Sequence, residues 1–315
     1  MNKEPKLFAV ETTALTKTYK GKNAVSHLDL RVREGAIYGF IGRNGAGKST
    51  TLKMLCGLAA PTSGEIRLFG KPVNDPISAR RVGCLIESTG LYPNMTARKN
   101  MIMKAKCMGL ADEKNVDQVL GIVGLSDTGS KKAKFFSMGM KQRLGIALAL
   151  LGNPDLLILD EPINGLDPEG IREIRQLIQE LNEQGKTLII SSHILGELSR
   201  ISTHYGIIKD GQLTEQISRE DLEKKCKDYY QVEVDNTKRA LALITEQKPQ
   251  VNAEVYDNRT LRLYDLKDGA WLNRLFVENQ VQVYSSGFHH MDLEEYFLYR
   301  MDGLDSEKRE GGEND

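Results

Sequence analysis

No stretch of this sequence stays apolar for the ~20 residues a helix needs to cross a bilayer. The best candidate, Leu144 to Leu151, is ended by Asn153-Pro154-Asp155. Met1 to Val10 hold no apolar core of signal-peptide length before Glu11. The expectation is a cytosolic chain. Net charge is absent too, since 43 Lys and Arg balance 43 Asp and Glu. That argues against a protein that holds nucleic acid by a strongly basic surface. Cysteine is sparse. Cys56, Cys84, Cys107 and Cys226 lack metal-ligand or redox spacing and read as reduced, structural thiols. The five histidines are scattered apart from His289-His290, which has no further ligands at helpful spacing. No internal repeat is present.

What is present suggests about two domains for 315 residues. Residues 1 to about 225 alternate strand-like and helix-like segments, the pattern of an α/β layer fold. Leu28, Leu30 and Val32 alternate with charged residues as in a half-buried strand, and Ile37 to Ile41 is a short apolar strand. Asp155 to Leu159 and Thr187 to Ile190 suit buried parallel strands. Lys48 to Leu58, Lys141 to Leu151 and Pro168 to Gln184 read as helices, and Thr96 to Val123 as two helices broken near Gly109. Composition shifts near Lys224-Lys225. Beyond it the order is strand (230–234), helix (237–246), strand (252–256), strand (260–264), helix (270–278) and strand (281–284). This βαββαβ order suggests a small ferredoxin-like α+β domain over 226–304. A terminal helix follows, with Asp292 as N-cap, and residues 305–315 are charged and expected to be disordered.

Gly42-Arg43-Asn44-Gly45-Ala46-Gly47-Lys48-Ser49-Thr50 fits the phosphate-loop pattern between a strand and a helix. Glycines let backbone N–H groups converge on phosphate oxygens, and the helix N-terminus adds its positive dipole end. Lys48 suits the β- and γ-phosphates, and the Ser49 hydroxyl, with Thr50 beside it, suits Mg²⁺. The strand Leu156 to Leu159 then delivers Asp160 and Glu161 at its carboxyl end, where α/β sheets bind ligands. Asp160 can hold Mg²⁺ through water, and Glu161 can act as general base toward a water.

With these motifs in place, residues from about 8 to 225 resemble an ATP-binding cassette subunit. Phe136-Ser137-Met138-Gly139-Met140-Lys141-Gln142-Arg143 resembles the family signature, with Met138 and Met140 replacing the usual Gly and Gln. The resemblance implies a P-loop core with antiparallel β and helical subdomains (an ATPase fold) working as a two-subunit sandwich. In it Ser137 and Gly139 cap ATP bound by the opposite subunit, and Asp167 of Asn164-Gly165-Leu166-Asp167 lies on the interface loop. His193 of Ser191-Ser192-His193 contacts the γ-phosphate, and Tyr19 stacks on adenine. Glu87 stands where the family usually has a Gln that touches Mg²⁺, and a carboxylate there could also ligate the ion.

Leu293-Glu294-Glu295-Tyr296-Phe297 and the stretches Leu85-Ile86-Glu87 and Gly90 to Thr96 resemble the bacitracin- and lantibiotic-type exporters of bacteria. The resemblance implies ATP and Mg²⁺ as ligands, a separate transmembrane permease, a second cassette subunit (expected as a homodimer) and no nucleic acid. It also implies a place at the cytoplasmic face of the membrane. An importer subunit with a regulatory C-terminal domain remains the alternative. A non-transport cassette protein fits less well, because the chain carries one phosphate loop and no long heptad insertion.

Overall fold

The computed structural model describes residues 8–87, 89–110, 113–226, 228–264, 266, 268–291 and 293–302. Asp292 and residues 305–315 lie outside them. The chain divides into two units, Met1–Arg219 and Glu220–Asp315.

The first unit opens with β1 (Phe8–Tyr19), β2 (Lys22–Leu28), β3 (Arg31–Arg33), β4 (Ile37–Ile41) and helix α1 (Lys48–Leu55). Then come β5 (Ser63–Leu68), β6 (Lys71–Pro72), α2 (Pro76–Arg80) and β7 (Val82–Leu85). Helices α3 (Ala97–Cys107), α4 (Glu113–Ile122) and α5 (Met138–Leu150) follow. The unit finishes with β8 (Leu156–Asp160), α6 (Pro168–Glu183), β9 (Thr187–Ser192), α7 (Leu195–Ser199), β10 (His204–Lys209) and β11 (Gln212–Ser218).

Strands β1, β2, β3, β5 and β6 make an antiparallel sheet around the long β1. The expected continuous strand through Leu28, Leu30 and Val32 is split between β2 and β3, because Thr12 takes both Leu28 O and the Leu30 N–H with its hydroxyl. The second sheet runs β11-β10-β4-β9-β8-β7, parallel from β10 to β7. Every residue of β4, β8 and β9 is buried. This is why those strands read as apolar runs rather than alternating ones. Leu52, Met54 and Leu55 of α1 join Phe40, Ile158 and Ile189 in the core beneath the antiparallel sheet. Each such side chain contributes about 1.5–3 kcal/mol by leaving water.

The register sets up the site. Ile41 pairs with Ser192, Ser191 with Asp160, and Leu159 with Leu85. In a parallel sheet the carboxyl ends of these strands share one edge. The segments after β4, β9, β8 and β7 begin there, carrying the phosphate loop, His193, Glu161 and Glu87 respectively.

The second unit contains α8 (Arg219–Lys225), which starts at the division, then β12 (Asp228–Val234), α9 (Thr237–Gln247), β13 (Asn252–Val255) and β14 (Thr260–Tyr264). Helix α10 (Ala270–Glu278), β15 (Val283–His290) and α11 (Leu293–Asp302) complete it. The four strands form an antiparallel sheet in the order β13-β14-β12-β15. Val232, Leu261 and Leu263 face Ile244, Leu272 and Phe276 of α9 and α10 in its core. Sequence ended the last strand at residue 284. It instead runs on to His290, because β12 continues to pair with it as far as Asp228.

Arg262 is 97% buried, with Nη2 bonded to Glu295 Oε1 of α11 at 2.6 Å. Its guanidinium lies 3.5 Å from the Tyr256 ring centroid and 4.4 Å from that of Tyr229. Burial and a hydrogen bond to Glu295 push the Tyr229 hydroxyl up to about 12.

Candidate nucleotide site

The phosphate loop turns between β4 and α1 because two glycines permit what no other residue would. A Cβ on Gly42 would stand 2.5 Å from the Ile208 carbonyl oxygen. Gly47 has φ +107° and would bring a Cβ within 2.5 Å of Ala24 O. Asn44 and Gly45 are exposed, and Ala46 is buried, with its N–H on Arg43 O at 3.1 Å. Lys48 is only 6% exposed. Its ammonium donates to Gly42 O at 2.6 Å and Arg43 O at 3.4 Å. Ser49 and Thr50 are half-buried in the first turn of α1. A buried cation inside a backbone curl opening a helix suits an anionic phosphate chain.

Asp160 and Glu161 are held differently. Asp160 is buried and accepts the Ser191 hydroxyl at 2.5 Å. Glu161 has φ +50°, an unusual backbone for a non-glycine residue, and strain of this kind clusters at functional sites. Its N–H donates to Ser191 Oγ at 3.0 Å. Its carboxylate lies between two partners, Lys48 Nζ at 3.7 Å from Oε1 and His193 Nδ1 at 2.8 Å from Oε2. Three residues separated widely in sequence thus converge at the mouth of the phosphate loop. Sequence reading missed Ser191, which orders both carboxylates. The only available signal was its place in Ser191-Ser192-His193.

Glu87 faces elsewhere. It too has a left-handed backbone, φ +59°, and its carboxylate pairs with Lys53 of α1 at 2.5 Å. Among the described residues, no three His, Cys, Asp or Glu side chains converge as a metal cage.

Ser137 is the N-cap of α5 and accepts from Met140 N at 3.2 Å. The helix therefore starts at Met138, three residues before the start read at Lys141. Asp167 caps α6 in the same way, from Gly170 N at 3.0 Å. Ser137, Met138 and Gly139 share a cleft of about 500 Å³ with Gly165 and Asp167, and no phosphate-loop residue lines it. Arg143 joins α5 to α6 through Glu173 at 3.4 Å. Tyr19 is 47% exposed and ends β1 at the Lys20-Gly21 hairpin. The Lys17 ammonium lies 5.0 Å from its ring centroid.

The family described as "ABC transporter" matches residues 25–164. The chain is 44% identical to the bacitracin transport ATP-binding protein BcrA of Bacillus licheniformis, over 93% of this chain and 97% of that protein. It is 41% identical to the lantibiotic transport ATP-binding protein SrtF of Streptococcus pyogenes, over 63% of this chain and 86% of that one. Among solved structures it is similar to the dimeric post-hydrolysis state of the ATP-binding cassette MJ0796 bound to ADP and Pi. That match has a TM-score of 0.60 and 27% identity, covering 67% of this chain and 98% of the other.

Proposed function

The chain belongs to the ABC transporter family as an ATP-binding ATPase, and from that premise we propose that it drives export of peptide antibiotics through a separate membrane-spanning subunit. The observation that carries the enzymatic part is the Glu161 carboxylate, fixed between Lys48 and His193 beside the phosphate loop. The peptide-antibiotic substrate is supported by BcrA and SrtF, relatives whose names give bacitracin and lantibiotic transport. No helix among the described residues is long and apolar enough to cross a membrane. That is consistent with a separate permease and a place at the cytoplasmic face of the membrane. Cells expressing the chain with its permease should tolerate more bacitracin or lantibiotic, and Glu161→Gln should remove the tolerance. Unchanged tolerance to every such peptide, with ATPase intact, would assign another cargo.

In this reading the γ-phosphate is attacked in line by a water whose proton Glu161 accepts. Catalysis is mainly positioning and charge stabilisation. Lys48 leaves the Gly42 and Arg43 carbonyls to hold the β- and γ-phosphate oxygens. His193 orients Glu161 and approaches the γ-phosphate. Tyr19 offers an exposed π-face to adenine. Ser49 and Asp160 would hold Mg²⁺, which neutralises phosphate charge when bound. Glu87, paired with Lys53 through one carboxylate oxygen, would approach such an ion in competition with that pair. Ser137, Gly139 and Asp167 serve the nucleotide of a second copy, supported by the absence of phosphate-loop residues from their cleft. We assign 1–225 to the cassette and 226–304 to an accessory ferredoxin-like domain, supported by its βαββαβ order and antiparallel β13-β14-β12-β15 sheet.

Replacing Lys48 by Ala should abolish the rise in melting temperature that Mg-ATP gives. Ligand at a hundred-fold excess over Kd stabilises by about 2.7 kcal/mol. Differential scanning fluorimetry reads this directly, and an unchanged shift would remove Lys48 from the site.

The permease is proposed to dock on the segment after Glu87 and on α3. Tyr92 and Met103 are 54% and 39% exposed there, whereas Met101 is fully buried and belongs to the core. Arg98 is tied to Asp117 of α4 at 2.8 Å, so reversing its charge would disturb the helical pair itself. The exposed Lys99 is the cleaner probe. Lys99→Glu with Tyr92→Ala should lower co-purification of the permease at least tenfold while basal ATPase persists. Full co-purification would place docking elsewhere.

A further inference from the structure

The end of β9 grips Glu161 at two points. Ser191 stands opposite Asp160 in the β8–β9 register and is fully buried. Its hydroxyl lies 2.5 Å from Asp160 Oδ1 and 3.0 Å from the Glu161 nitrogen. A carboxylate that holds a metal offers only lone pairs, so the single hydroxyl proton goes to Asp160. A lone pair of the same oxygen then receives the Glu161 N–H. Donation to a charged group makes the first contact the stronger one, and it sets the direction of the second. Two residues further on, His193 Nδ1 meets Glu161 Oε2 at 2.8 Å. Between them, Ser192 accepts the Ile194 N–H at 2.9 Å and shapes the turn that presents His193.

The Glu161 backbone gives this grip its purpose. In a continued strand, successive side chains alternate between faces. The left-handed turn at Glu161, φ +50°, breaks that alternation and brings its carboxylate to within 3.7 Å of the Lys48 ammonium. Such a conformation persists in a residue with a side chain only where its neighbours over-determine it. Ser191 supplies both acceptors for the Glu161 N–H, its own carbonyl oxygen at 3.2 Å and Oγ at 3.0 Å. The Oγ contact is the one that also reaches Asp160.

We propose that Ser191 is the positioning residue of the hydrolytic site, its hydroxyl locking the Glu161 backbone to the Asp160 carboxylate so that base and metal-holding carboxylate keep one geometry. Ser191 acts through these two residues rather than on the nucleotide. Without the hydroxyl, the Glu161 N–H keeps only the longer bond to the Ser191 carbonyl. The tie to Asp160 is lost, and the carboxylate no longer meets the attacking water at a fixed place. A misplacement of about 1 Å at a reacting site can cost about a hundred-fold in rate. The role rests on the reading of Glu161 as general base.

The test is phosphate release by the full chain carrying Ser191→Ala, alone and combined with Glu161→Gln. Alone, the substitution should lower kcat about 10- to 100-fold and move KM for Mg-ATP by less than about threefold. The rise in melting temperature with Mg-ATP should be retained, which shows a folded chain that still binds nucleotide. In the Glu161→Gln background the same substitution should cost less than about threefold more, because the group it positions no longer accepts a proton. Ser191→Thr keeps the hydroxyl and suits a strand, so its kcat should return to within about threefold of the parent. A Ser191→Ala rate within about threefold of the parent, beside an inactive Glu161→Gln chain, would overturn the role of Ser191 alone. So would a full multiplicative loss in the combined variant, or a Ser191→Thr chain that binds Mg-ATP yet is as slow as Ser191→Ala. Parental turnover by Glu161→Gln would overturn the base reading, and the positioning role with it.

Discussion

Glu161→Gln is expected to bind ATP as the parent chain does and to hydrolyse it 10²- to 10⁴-fold more slowly, the usual range for loss of a general base. The substitution preserves size and leaves an amide oxygen for His193, so the contact at 2.8 Å has a replacement. The backbone at φ +50° is also kept, since neither residue is a glycine and Ser191 still accepts the N–H. What disappears is a proton acceptor and one negative charge 3.7 Å from Lys48. Losing that charge frees Lys48 from a competing anion and removes repulsion toward a triphosphate. Nucleotide affinity should therefore hold or rise, and ATP-bound dimers should accumulate. Phosphate release and gel filtration with Mg-ATP measure the two halves. Steady-state turnover within threefold of the parent would place the base elsewhere.

Contiguous chemistry was legible in the sequence. Gly42 to Thr50 and Leu156 to Glu161 each lie in one segment, so spacing alone specified a turn opening a helix and a strand ending in carboxylates. The parallel sheet then aligned those segments, because fully buried strands have few alternative registers. Side chains from separate elements were not legible. Lys53 is the partner of Glu87 only because α1 and the end of β7 meet in space. Ser191 serves Asp160 because β8 and β9 are neighbours. Arg262 gave no signal as a buried cation, since its burial depends on Tyr229, Tyr256 and Glu295 from three other segments. Boundaries went astray where local propensity lost to context. Ser285-Ser286-Gly287 reads as a loop, yet β12 pairs with all three. Met138-Gly139-Met140 precede the helix as read from Lys141, yet the Ser137 cap makes them the first turn of α5.

Mixing two inactive variants should restore part of the activity that each lacks. Ser137→Arg places a bulky cation at the cap of α5, in the cleft shared with Gly165 and Asp167. It leaves untouched the Lys48 and Glu161 cluster, so ATP binding by a single subunit should survive while closure of two subunits fails. Lys48→Ala does the opposite, damaging the phosphate loop and sparing the signature. If each nucleotide lies between the phosphate loop of one copy and the signature of the other, a mixed dimer holds one site with both lesions and one with neither. At equal amounts about half of randomly formed dimers are mixed, each with one intact site, so turnover should reach up to about a quarter of the parent rate if sites act alone. Recovery should peak near equal proportions and vanish at either extreme. The measurement is phosphate release across the mixing series, with mixed dimers verified by two affinity tags. Verified mixed dimers without recovery at any ratio would show that the sites are not shared or that one intact site cannot turn over. Recovery would also establish that Met138 and Met140 leave the signature working, because the surviving site then depends on the parent segment carrying both methionines.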